Sequence, residues 1–67
     1  MESIEDIKAW VKDIKESIGD NENAHELEDD LYITVLTGIA NGECSSPAKY
    51  AKEALKAHEL NYERWYA

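Results

Sequence analysis

Ile4, Ile7, Val11, Ile14 and Ile18 recur at intervals of three, four, three and four residues. That spacing stacks side chains on one face of an α-helix, and lysines and acids fill the positions between. Ser3 suits the N-cap, Asp6 three residues on makes a short-armed capping box, and Gly19 supplies the left-handed residue that commonly ends a helix. A first helix over 3–18 is expected, with Trp10 bordering its apolar stripe. Farther along, Leu27, Leu31, Tyr32, Val35, Leu36 and Ile39 fall on one broad face at about 100° per residue. This predicts a second helix over 23–40, opening at Asn23 or Asn21, with Glu26 completing a capping box on Asn23. The segment YITVLT has strand propensity, but a strand there would have no partner elsewhere in the chain. Asn41-Gly42 closes the helix.

After the linker GECSS, Ser46-Pro47 opens a third helix, with serine as cap and proline at the first helical position. It should run over 46–60 and end at Asn61. Its expected inner face is Tyr50, Ala51, Ala54, Leu55, Ala57 and His58, which is mostly alanine and allows close approach. The closing YERWYA carries three aromatics, and Tyr62 and Trp65 are expected to fold back and add bulk to the core. The fold class is therefore all-α: a three-helix bundle, one domain over 1–67, with a C-terminal aromatic tail docked on the core.

Size and charge narrow the functions. At 67 residues the chain is near the lower limit for folding without staples. Its single cysteine, Cys44, rules out an intramolecular disulfide, which a secreted domain this small would usually have. The opening MESIEDIK is acidic and amphipathic and does not read as an export signal. Leu31–Ala40 is too short and too polar to span a bilayer. A cytoplasmic location is expected. The net charge of −8 divides as −3 over residues 1–20 (six acids, three lysines), −5 over 21–40 (five acids, no base) and zero over 41–67 (four of each). Such a chain is repelled by nucleic acid and by anionic membranes, so neither is expected as a direct partner, whereas a basic protein is permitted.

The densest acidic stretch, DNENAHELEDDLY, holds six carboxylates, one histidine and no lysine or arginine. A calcium loop needs glycine at its sixth position and glutamate at its twelfth, and counting from Asp20 those are His25 and Leu31. HELED also lacks the second histidine of a zinc-protease helix. No metal site or cofactor is expected, although His25 and Asp29 share a helix face. Acids in the first turn suit the positive end of the helix dipole, but that effect fades within the turn and the acids repel one another. The remainder reads either as a solvated face or as a docking face for a protein partner. The candidate contact residues are Asp20, Glu22, Glu26, Asp29 and Asp30, with Ile33 as an outward-facing apolar member. A second form of the docking reading is mimicry of nucleic-acid phosphates to inhibit a DNA-binding or defence protein.

Glu28 differs from these acids, since the helical wheel sets it inside the apolar arc, where a lone carboxylate is costly. The only arginine, Arg64, lies in the tail expected to return, so a Glu28–Arg64 pair beside Trp65 is expected to clamp it. His25 is expected exposed, and His58 to be a packing residue. Cys44 has no base beside it to lower its pKa. Gly38 reads as a close-contact position. No nucleophile, base and orienting group stand together, so an enzyme is not expected.

The run HELEDDLYITVLTGIANGEC…AKYAKEALKAHELNYERWYA resembles one found in small all-α proteins of bacterial and phage or prophage genomes. The shared elements are His-x-Leu-Glu-Asp, Leu-Tyr-x-x-Val-Leu-x-x-Ile-Ala, Ala-x-x-Ala-Leu and an Arg-Trp-Tyr/Cys-Ala end. The likeness covers His25 to Ala67 and leaves out the first helix. It implies a phage or prophage origin and a helical fold, carries no activity with it, and singles out His25, Leu27, Glu28, Asp29, Arg64 and Trp65. Together these readings describe a small acidic interaction or accessory protein, monomeric or weakly homodimeric through its alanine face.

Overall fold

The computed structural model of the chain describes residues 2–62. Three α-helices follow in order: α1 (Ile4–Glu16), α2 (Asn21–Ala40) and α3 (Pro47–Leu55), with α3 continuing as a 3-10 turn over Lys56–Glu59. There is no strand among the described residues. Each helix packs against the other two, so the fold is a three-helix bundle. The expected docking of the tail through Arg64 and Trp65 falls on residues 63–67 and lies outside the described residues.

α1 opens with the expected capping box: the Ser3 hydroxyl accepts from the Asp6 N–H at 3.1 Å, and the Asp6 carboxylate accepts from the Ser3 N–H at 3.1 Å. The helix stops two residues earlier than the periodicity suggests. Ser17 caps it, and Gly19 at φ +115° turns the chain where a residue with a Cβ would be strained. Ile18 therefore falls past the helix and is exposed, although its spacing placed it on the core stripe.

α2 begins at the earlier of the two expected starts, but neither asparagine caps it. The Asp20 carboxylate accepts from the Asn23 N–H at 3.2 Å, which adds the turn that an Asn23 cap would have excluded. An ionised carboxylate at this position also complements the helix dipole. Asn23 instead donates its side-chain amide to the Ser17 hydroxyl at 3.3 Å, and that hydroxyl donates to the Asp13 carbonyl at 2.9 Å. The first turn of α2 is thereby tied to the end of α1. Asp20→Ala is expected to cost about 0.5–2 kcal/mol, read as a lower urea midpoint, whereas Asn23→Ala should cost less. Equal losses would show that Asp20 is not the cap.

At its other end α2 closes with a Schellman motif. Glu43 N–H donates to the Gly38 carbonyl at 3.0 Å and Gly42 N–H to the Ile39 carbonyl at 3.1 Å, with Gly42 at φ +70°. Pro47 is the first residue of α3, as expected, but the Ser46 hydroxyl makes no capping bond. Only the Ser46 carbonyl is used, accepting from the Lys49 and Tyr50 N–H groups at 3.1 Å.

The core consists of Ile7, Ile14, Ala24, Leu31, Val35, Ala54 and Ala57, with Trp10, Val11, Leu27, Tyr32, Ile39, Tyr50, Leu60 and Tyr62 packed around it. Trp10 links α1 to α2, donating its indole N–H to the Leu27 carbonyl at 3.1 Å. Gly38 is buried, in keeping with close contact. Two large hydrophobic members of the expected inner faces of α2 and α3 stand outside the core: Leu36, 65% exposed, and Leu55, 58% exposed. Leu36 lies about 100° around α2 from Val35, beyond the arc that α1 and α3 cover. His58 is exposed as well. The 3-10 turn aligns residues three apart, so Ala57 and Leu60 follow Ala54 onto the core side and His58 is carried away from it.

Candidate interaction surface

α2 carries two parallel stripes with the same spacing and opposite fates. Ala24, Glu28, Leu31, Val35 and Gly38, at intervals of four, three, four and three, are all buried. Glu22, Glu26, Asp29, Ile33, Leu36 and Ala40 continue the same alternation and are all exposed. At 1.5 Å per residue this outer stripe is about 27 Å long. Its N-terminal half is acidic and its C-terminal half apolar. Ile33 is 62% exposed, as the sequence placed it. Asp30 is also exposed but lies to one side of the stripe, and Asp20 is held by its capping bond.

Glu28 is buried, as the wheel requires, at 3% exposure. Its Oε1 accepts from the Tyr62 hydroxyl at 3.0 Å. Tyr62 thus does fold back onto α2, and the expected Glu28–Arg64 pair lies outside the described residues. His25 departs from expectation: it is buried at 9% exposure, not exposed. It lies one turn before Glu28, on the flank of α2 to which the chain returns at Tyr62. Its Nε2 stands 3.4 Å from the Asp29 carboxylate, so Asp29 has a neighbour on its inner side while its stripe position faces outward.

Beside the outer stripe, α2 and α3 leave an open apolar groove of about 500 Å³. Tyr32, Val35 and Leu36 line it from α2, and Ala54, Leu55 and His58 from α3. Lys49 and Lys52 are exposed on α3 and enter no ion pair among the described residues, whereas Lys56 bonds Glu53 at 3.0 Å. Sequence reasoning missed this groove because it assigned Leu36 and Leu55 to the core. The available signal was the outer 4-3-4-3-4 alternation from Glu22 to Ala40, which a single-face reading of α2 overlooks.

Among the described residues no three histidine, cysteine or acidic side chains are grouped to hold a metal ion. Cys44 is half-buried in the linker. No described helix is long and apolar enough to cross a membrane. No protein family, curated protein or solved structure matches the chain.

Proposed function

We propose that this chain is a small, non-enzymatic, cytoplasmic interaction protein whose working surface is the outer stripe of α2. The observation that carries this reading is the unbroken exposed alternation from Glu22 to Ala40. A helix that only needed solubility would be polar along its whole outer face, yet this one exposes Ile33 and Leu36 next to the α2–α3 groove. An apolar patch rimmed by charge is the usual make-up of a protein contact. Glu22, Glu26 and Asp29 call for basic groups on the partner, and Ile33 and Leu36 for an apolar ridge. The change from acidic to apolar after Asp29 favours a protein surface over imitation of a phosphate backbone, which would need charge along its full length.

Two immobilised baits test the reading: the wild-type chain and a Glu22→Lys/Glu26→Lys/Asp29→Lys variant. Proteins captured at low salt by the first, absent from the second and released as salt rises are the expected result. Identical captures on both baits would remove the acidic half of the stripe from the interaction.

A further inference from the structure

We propose that Asn41 is a modification site that the chain converts with its own backbone, gated by opening of the C-terminal turn of α2. The reaction class is intramolecular amide cyclisation with water as co-reactant, and the products at residue 41 are aspartate and isoaspartate. The inference stands apart from the reading of the α2 stripe.

Asn41 is followed by Gly42, and both are exposed at the junction between α2 and α3. The Schellman motif accounts for the glycine, which sits at φ +70°. It does not account for the asparagine, whose side chain enters no hydrogen bond among the described residues. The Asn41 Cγ is therefore open to attack, and its neighbouring nucleophile is the Gly42 backbone nitrogen, which no Cβ of residue 42 shields. That nitrogen gives its proton to solvent hydroxide and bonds to Cγ. The side-chain nitrogen takes up a proton and leaves as ammonia, closing a five-membered succinimide. Water then adds to one ring carbonyl. Cleavage of the new bond at Cγ gives aspartate, and cleavage at the original backbone carbonyl gives isoaspartate.

The folded geometry holds this chemistry back in two ways. The Gly42 N–H is donated to the Ile39 carbonyl at 3.1 Å, which withholds its proton from base. Asn41 also stands at φ −84° and ψ 1°. At ψ near zero the Gly42 nitrogen eclipses the Asn41 nitrogen, whereas the ring requires it to eclipse Cβ, about 120° away around the Cα–C bond. Turning ψ by that amount carries the Gly42 N–H off Ile39 and breaks the 3.0 Å bond from Glu43 N–H to the Gly38 carbonyl. Both bonds belong to a helix end, where local opening is least costly. Conversion in turn loosens that end. Isoaspartate lengthens the main chain by a methylene inside the motif. Either product sets a carboxylate at the negative end of α2, whose last turn carries no basic residue.

The full chain, incubated at mildly alkaline pH both folded and in unfolding urea, provides the test. Peptide mapping by chromatography and mass spectrometry separates the asparagine, aspartate and isoaspartate forms. In urea, conversion should concentrate at Asn41 over Asn21, Asn23 and Asn61, each of which precedes a residue with a side chain. It should quicken as pH rises and slow severalfold in Gly42→Ala, whose methyl group crowds the attacking nitrogen. In the folded chain Asn41 should convert at least about tenfold more slowly than in urea. The isolated isoaspartate form should unfold at a lower urea midpoint than the parent chain. Equal rates in the folded and unfolded chain overturn the gating. Equal conversion at all four asparagines, or none at Asn41 in urea, overturns the site, and an unchanged midpoint overturns the loosening of the junction.

Discussion

Leu31→Ala is expected to lower the unfolding free energy by about 2–5 kcal/mol. Leu31 is fully buried and, with Ile7 and Ile14, is one of the three largest such side chains. It sits at the middle of the inner stripe of α2, with the core residues of α1 and α3 packed around it. Truncation removes buried methyl groups and leaves a cavity that three short helices cannot fully close. The chain has little reserve: at ~0.05–0.15 kcal/mol per residue, a protein of this length is stable by about 3–10 kcal/mol. The loss is therefore a large share of the total stability. Urea titration followed by circular dichroism measures the loss as a lower midpoint. Leu36→Ala is the control at dilute protein, where an exposed leucine should change stability by no more than about 0.5 kcal/mol. If the two leucines cost the same, the division of α2 into a buried and an exposed stripe is wrong.

Tyr62→Phe is expected to cost about 1–3 kcal/mol, although it removes one oxygen and leaves the ring. The hydroxyl donates to the carboxyl group of Glu28 at 3.0 Å, and that carboxyl is almost wholly withdrawn from water. Burying a carboxyl group costs free energy unless hydrogen bonds offset it, so the loss of this donor is felt more than the loss of a surface bond. A double-mutant cycle of Tyr62→Phe with Glu28→Ala isolates the pair. The expected coupling is at least ~0.5 kcal/mol, and additive effects would mean that the contact does not hold Tyr62 to α2.

Periodicity and capping chemistry are local, and for that reason much of this fold was legible in the sequence. The isoleucine spacing placed α1, the Ser3–Asp6 capping box started it, and Gly42 and Pro47 bounded the second and third helices where the structure has them. Burial of Glu28 was legible too, since its angular position depends only on helix geometry. Local rules also left ambiguities. Asp20 and Asn23 are both good caps, and the choice of Asp20 came with the contact between Asn23 and Ser17 that joins two helices. Ile18 matched the stripe of α1, yet the turn at Gly19 removed it from the helix.

What the sequence determined by itself was an acidic three-helix chain with a stripe of apolar residues on each helix, because helix geometry converts spacing into faces. Only the tertiary structure decided how wide an arc of each helix is covered, because that depends on the neighbouring helices. With α1 and α3 in place, Leu31 and Val35 are enclosed, Leu36 and Leu55 become the lips of a groove, His25 is buried and His58 is turned outward. The candidate surface arises from that partial coverage, which the spacing along a single helix does not record.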